Sequence, residues 1–310
     1  MGKPVKVLVI GLPRAGKTTY LAAFWHLLLS EEVVDALRMA ELQPSREHLN
    51  NITALWRQWK KIARTTLPKE RVVTINLRIP GSADDYELAV PDASGEAFRR
   101  IFETRRCSAD FEVLASEAEA VMLFIHPSQA IPPQTIDVKV DALADLIDSA
   151  FDDHDATDVP ENETLGVTEP PKQDEAAEPE PLKFTPKYAT YQSKLVDLLQ
   201  ISRSFRGTKP QKLAVVISAW DLCAVEGFTP EKWLQERLPL LHQYLNTNDD
   251  VCSFEIYGIS AQGAELKTPG ALVDAIRASD RIKVVHKGQE SKDLTLPIRY
   301  VLSKSGAFNE

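Results

Sequence analysis

A chain of 310 residues with 44% apolar and 26% charged positions is long enough to bury a substantial core and has the make-up of a soluble globular protein of one or two domains. Its three cysteines (Cys107, Cys223, Cys252) and six histidines are too scattered for a disulfide framework or a zinc site. No apolar run approaches the ~20 residues that cross a bilayer and no signal-peptide core precedes the first strand-like segment, so a cytoplasmic location without membrane insertion is expected.

The segment Val5-Lys6-Val7-Leu8-Val9-Ile10 is β-branched and stops at Gly11, the signature of a buried parallel strand. From Lys17 to Ser30 the pattern becomes helical. Between them stands Gly11-Leu12-Pro13-Arg14-Ala15-Gly16-Lys17-Thr18, a full match to the GxxxxGK[ST] phosphate-binding loop in its strand-loop-helix setting. The two glycines permit backbone geometry that side chains forbid, and successive amides then face phosphate oxygens at a helix N-terminus. Lys17 would reach the β- and γ-phosphates, and the Thr18 hydroxyl would ligate magnesium. Thr19 follows at the start of the helix.

A second helix is expected over Arg46 to Arg64, with Leu49, Ile52, Leu55, Trp56 and Trp59 at helical spacing, a stripe that reads as core or partner groove. Strands over Val72 to Ile79 and Tyr86 to Val90 are joined by a turn-rich link and form a hairpin. The hairpin runs into Pro91-Asp92-Ala93-Ser94-Gly95-Glu96. A carboxylate there, Asp92, stands where magnesium is supported, and Gly95 would bring its amide to a γ-phosphate. A helix from Glu96 to Arg106 and an apolar strand from Ala120 to Ile125 follow.

The net charge of −9 is a local matter: residues 152 to 182 carry eleven acidic residues against one lysine, leaving the remainder close to neutral. With five prolines and almost no large apolar residues, this stretch reads as a disordered insert, either a solvated loop or a docking tail for a basic partner. No basic stripe with interleaved aromatics suggests direct nucleic-acid binding. Beyond the insert come a helix from Tyr188 to Ser202, the apolar strand Leu213 to Ile217 closing into Ser218-Ala219-Trp220-Asp221, and a helix from Pro230 to Leu245. The strand Ser253 to Tyr257 leads to Gly258-Ile259-Ser260-Ala261-Gln262-Gly263. Residues 267–292 read as an inserted arm or part of the closing helix, expected over Leu294 to Ser303 with Pro297 in its first turn.

This order of elements and motifs resembles the P-loop GTPases of the Ras-like and translation-factor-related class over nearly the whole chain. The resemblance implies one three-layer α/β domain, a mostly parallel sheet with one antiparallel edge strand and helices on both faces, interrupted by the acidic insert. It implies GTP, GDP and Mg2+ as ligands, with Asp221 reading the guanine edge and the Ser260-Ala261 loop supporting its O6 side. Two positions depart from the family's NKxD motif: Ser218 replaces the Asn that ties loops together, and Ala219 replaces the Lys whose stem covers the base. Trp220 reads equally as a substitute lid and as core. More narrowly, the string from Gly11 to Ala23 looks like the double-GTPase proteins of bacterial conflict systems, which implies a nucleotide-controlled switch that signals to a protein effector or activator.

The same resemblance places Lys17 and Glu96 in catalysis. Where Ras-like members carry a water-orienting Gln this chain has Glu96, whose charge near the γ-phosphate implies slow intrinsic hydrolysis, unless Glu96 only starts a helix, where a carboxylate suits the dipole. Arg14 and Arg71 are candidates for a transition-state cation, and Thr65 or Thr66 for a γ-phosphate sensor. Two other functions stay open: a nucleotide-binding scaffold without hydrolysis, and a P-loop small-molecule kinase, for which no arginine-rich lid is visible. The oligomeric state is not legible.

Overall fold

A nine-stranded sheet in the order β2-β3-β4-β1-β5-β6-β7-β8-β9 forms the middle layer. The strands are β1 (Pro4–Ile10), β2 (Arg38–Met39), β3 (Arg71–Arg78), β4 (Asp85–Asp92), β5 (Ala120–Ile125), β6 (Gln211–Ser218), β7 (Cys252–Ser260), β8 (Lys283–His286) and β9 (Gln289–Ser291). The computed structural model describes residues 4–34, 36–40, 46–62, 71–80, 85–92, 95–131, 185–186, 189–207, 211–223, 227–248, 252–263 and 277–303. The chain divides into two compact units, Met1–Pro133 with Thr190–Glu310, and Gln134–Ala189. The second unit, which contains the acidic stretch, lies almost wholly outside the described residues.

Strands β4, β1, β5, β6 and β7 run parallel, and β3 pairs antiparallel with β4, from Arg71 opposite Asp92 to Arg78 opposite Asp85. These six strands are the expected mostly parallel sheet with one antiparallel edge. Three short strands extend it. At one end β2 adds two residues to β3, and at the other β8 and β9 continue antiparallel from β7. Part of the segment read as an inserted arm is thus sheet edge, while residues 264–276 lie outside the described residues. The β8–β9 turn places Lys287 at φ 48° and Gly288 at φ 75°, the two left-handed residues of a tight hairpin.

Period-two alternation sorts the strands' side chains between two cores. Val7, Val9, Met122, Phe124, Ala214 and Val216 face one layer of helices: α1 (Lys17–Ser30), α2 (Glu47–Arg57) and, last in the chain, α8 (Leu296–Leu302). Leu8, Ile10, Val121, Leu123, Val215 and Ile217 face the other: α3 (Gly95–Thr104), α4 (Ala109–Glu117), α5 (Tyr191–Ser204), α6 (Pro230–Arg237) and α7 (Pro239–Asn246). Helix α1 is buried from Tyr20 to Leu28 because α2 covers its outer side. Thr53 Oγ1 donates to the Ala22 carbonyl at 3.0 Å, and Trp25 Nε1 to Asn50 Oδ1 at 2.9 Å, fixing that contact.

Three differences from expectation have a local cause. Helix α2 ends at Arg57, short of the expected Arg64, because Trp59 turns the chain at φ 55°. The helix expected from Pro230 to Leu245 is two, broken at Leu238 (φ −133°, ψ 59°), where the ring of Pro239 excludes the helical conformation from the residue before it. Helix α4, which the sequence reading does not include, is capped by Ser108, whose hydroxyl accepts from the Phe111 amide at 3.1 Å. Pro297 does lie in the first turn of α8.

Candidate nucleotide site

The five parallel strands deliver their carboxyl ends to one edge of the sheet, the place where open α/β sheets bind ligands. Between β1 and α1 the loop from Gly11 to Gly16 holds Arg14 at φ 63° and Gly16 at φ 87°, both left-handed. A tight turn closes it, Ala15 N–H to the Leu12 carbonyl at 3.2 Å, and helix α1 starts on Gly16, an N-cap residue with no side chain to bond its first amides. A β-carbon on Gly16 would stand 2.7 Å from Ser218 Cβ. Lys17 folds back over the loop, donating to the Gly11 carbonyl at 2.7 Å, with its ammonium 5.5 Å from the centre of the Phe98 ring. An ammonium held by carbonyls at the mouth of an uncapped helix is a fitting receptor for phosphate.

The other motif residues gather around this loop. Gly95, the first residue of α3, packs directly on the loop backbone: an added β-carbon would lie 2.7 Å from the Leu12 carbonyl carbon and closer still to Pro13. Glu96 sits in the first turn of α3. Asp92 closes β4, at the end of the sheet that carries the loop; its side chain, like Thr65 and Thr66, lies outside the described residues. Ser218 donates its hydroxyl to the Ile125 carbonyl at the end of β5 at 3.1 Å, which joins the ends of β6 and β5. Ala219 adopts a left-handed conformation (φ 46°) and turns the chain into the short helical turn Trp220–Leu222.

Trp220 is core, not lid. It is 2% exposed, lies on Gly258, where a β-carbon would meet its ring at 2.5 Å, and meets Trp233 edge to face at 6.4 Å. Burying Trp220 leaves Asp221 at the rim, where its carboxylate accepts the Ser260 hydroxyl. The Gly263 amide in turn donates to Ser260 Oγ at 3.2 Å, joining the turn after β6 to the loop after β7. The carboxylate keeps acceptor capacity for further donors.

Arg14, Gly16, Thr19, Ser218, Ala219, Asp221, Ala261 and Gln262 line one cavity of about 340 Å³, within the usual range for ligand sites. The loop after β5 contributes residues that carried no local signal. Gln129 Nε2 donates to the Pro13 carbonyl at 3.0 Å, supporting the phosphate loop from outside. His126 lines the cavity with Nδ1 2.8 Å from Ser128 Oγ. Burial lowers its pKa, against the pull of Asp221 and with the push of Arg14, so the imidazole is neutral at neutral pH. Gln262 Nε2 is buried with no hydrogen-bond partner among the described residues, an amide donor in the wall of the cavity. Lys60 and Ile62, from the segment after α2, line the same cavity. Nothing in their sequence neighbourhood announces this, since it depends on where α2 ends.

A nucleotide fits this donor set. The phosphate loop, its uncapped helix and Lys17 suit a polyphosphate, and the Asp221 carboxylate suits the adjacent donors of a base edge. Among the described residues no cluster of three His, Cys, Asp or Glu side chains gathers for a metal, and no helix is long and apolar enough to cross a membrane.

A search of the curated proteins finds no match. Among solved structures, the chain is similar to Methanosarcina barkeri Roco2 RocCORdC bound to GDP (14% identity, 86% of this chain and 47% of that one, TM-score 0.31). It is similar also to the signal recognition particle receptor SRb-GTP/SRX complex from Chaetomium thermophilum (14%, 84% and 92%, TM-score 0.36). A third likeness is to the S. cerevisiae Ski7 GTPase-like domain bound to GTP (14%, 85% and 44%, TM-score 0.35). The chain thus spans about half the length of the Roco2 chain. The Double-GTPase 1 family model matches residues 8–301, from β1 to α8, and the chain belongs to the Double-GTPase 1 family.

Proposed function

We propose that this chain is a cytoplasmic guanine-nucleotide switch that hydrolyses GTP slowly with magnesium and reports its nucleotide state to a protein effector or activator. The observation that carries the reading is the convergence on one cavity of the phosphate-binding loop, Asp221 and the Ser260-Ala261 loop, from three elements far apart in sequence. Asp221 would take the paired donors of the guanine edge, with the Ala261 region on its O6 side. Gly11 to Thr19 would cradle the phosphates, Lys17 neutralising charge on the β- and γ-oxygens and the Gly95 amide meeting the γ-phosphate. Magnesium would rest on the Thr18 hydroxyl, supported by Asp92, and would supply charge neutralisation between phosphates.

Slow hydrolysis follows from Glu96. A carboxylate beside the γ-phosphate adds negative charge where the transition state already spreads it, so an activator that brings a cation would raise the rate ~1,000-fold or more. Glu96 also occupies the first turn of α3, where its charge suits the helix dipole, and this favours a second reading: a nucleotide-binding scaffold that does not hydrolyse. The acidic stretch 152–182 is proposed as the docking segment for a basic partner, within a bacterial multi-gene system.

Binding of GTP, GDP and ATP with magnesium, measured for the wild type, Lys17→Ala and Asp221→Ala, tests the first claim. Guanine selectivity that disappears in Asp221→Ala supports the switch. Equal binding of ATP, or indifference to Asp221, removes it and leaves only a phosphate-binding loop. Single-turnover hydrolysis then separates the switch from the scaffold.

A further inference from the structure

Ala219 is too short to cover a ring that Asp221 holds by its edge, so one face of a base in this cavity would lie bare if the turn after β6 alone formed the site. Another part of the wall of the same cavity comes from elsewhere. Helix α2 ends in a six-residue capping motif, with Lys60 N–H bonded to the Leu55 carbonyl at 2.9 Å and Trp59 N–H to the Trp56 carbonyl at 3.2 Å. The residue held left-handed at its centre is Trp59, φ 55°, where glycine is usual and any other residue is strained. Its ring stays 7% exposed because Arg281 covers it. The guanidinium lies 4.8 Å from the centre of the Trp59 ring and 4.5 Å from that of Trp56. Trp56 Nε1 donates to the Ala261 carbonyl at 3.0 Å, and Gly263 packs on Arg281, 2.7 Å from its carbonyl oxygen to an added β-carbon. The end of α2 is therefore latched to the loop after β7, and the chain leaving the latch places Lys60 and Ile62 in the cavity wall.

We infer that Lys60 and Ile62, held by the Trp56–Arg281–Trp59 stack, form the second face of the purine site and supply the apolar cover that Ala219 omits. The inference rests on the guanine-nucleotide reading above for its ligand. The lysine stem and the isoleucine present methylene groups to a flat ring, and the ammonium at the end of the stem can stay in water. Such a cover is indifferent to which purine it meets, because both offer a π face, so it sets affinity while Asp221 sets choice. Arg281 is a positioning residue in this scheme, acting on the ring only through Trp59 and the turn it holds.

The test is isothermal titration of the full-length protein with GDP, ADP and inorganic tripolyphosphate, the last having no base. Lys60 is exposed and Ile62 half-buried, so their variants keep the fold, as thermal melting would verify. Lys60→Ala combined with Ile62→Ala is expected to weaken GDP and ADP alike by about tenfold and to leave tripolyphosphate unchanged. Lys60→Met, which keeps the stem and drops the charge, should stay within about threefold of the wild type, and Ala219→Lys should restore affinity to the double variant. Arg281→Ala should show the purine-specific loss and Arg281→Lys a smaller one. Unchanged GDP affinity in the double variant overturns the inference, as does a parallel loss of tripolyphosphate, which would make Lys60 a phosphate-attracting charge. If instead the wild type binds ADP as tightly as GDP, the guanine reading fails while the cover is still measured by the gap between purine nucleotide and tripolyphosphate.

Discussion

Replacing Gly95 by alanine probes the contact on which the arrangement of loop and helix depends. The added methyl would meet the Leu12 carbonyl carbon at 2.7 Å, with two Pro13 backbone atoms nearer still. Ordinary contact begins at 3.4 Å, so the phosphate loop and α3 must separate by about 0.7 Å or more. The obstructing atoms are backbone and cannot rotate aside. Overpacking of this kind costs about 1–3 kcal/mol, and the better helix propensity of alanine returns at most ~1 kcal/mol, leaving a net loss of roughly 0–2 kcal/mol. The displacement also moves the amides that would face phosphate, and losing one hydrogen bond to a charged oxygen costs about 1.5–3 kcal/mol, or roughly ten- to a hundredfold in affinity. Urea denaturation reads the first quantity and titration with GDP and GTP the second. Gly288→Ala is the control. Unlike Gly95, Gly288 has a positive φ (75°), and nothing stands within 4 Å of the added methyl, so that variant should lose about 1 kcal/mol of stability and no nucleotide affinity. A Gly95→Ala protein with wild-type stability and nucleotide affinity within twofold would refute the account of the contact.

Lys17→Ala should weaken GTP and GDP by about a hundredfold or more in nucleotide titration, because it removes the ammonium held at the phosphate loop by the Gly11 and Leu12 carbonyls. Trp220→Ala should cost about 3–5 kcal/mol in urea denaturation, the loss of a core ring; a stable variant that fails only in nucleotide binding would make Trp220 a lid after all. Trp56→Phe leaves the buried Ala261 carbonyl without its donor and should cost about 1–3 kcal/mol, readable by the same assay. Acidification should destabilise the protein: burial lowers the pKa of both His26 and His126, so the unfolded chain takes up protons first. Stability is then full above the unfolded value near ~6.5 and falls as pH drops from there through the lower folded values, so denaturation midpoints that rise below pH ~6.5 would contradict this assignment.

Local sequence was enough wherever the determinant is itself local. The apolar runs at Val5–Ile10, Ala120–Ile125 and Leu213–Ile217, the glycines of the phosphate loop and the periodicity of α1 each carry their structure within about a dozen residues, and those elements stand where the patterns put them. The shape of the candidate site was legible only in part. Asp221 and Ser260 could be placed at strand ends, but that the Ser260 hydroxyl bonds the Asp221 carboxylate depends on β6 and β7 being neighbours in the sheet. Trp220 was ambiguous for the same reason: whether an indole after a strand points to solvent or inward is decided by Gly258 on the adjacent strand, which leaves room for it. Short elements such as β2 have too few residues to show a period, and the break at Leu238 interrupts a helical periodicity that continues on both sides of Pro239. Lys60, Ile62 and Gln129 reach the cavity or its loop through contacts with residues tens to hundreds of positions away. Hydrophobic period and turn chemistry fix which segments fold and how, because they act between near neighbours. Which side chains share a cavity is fixed by packing and register between distant segments, which only the tertiary structure decides.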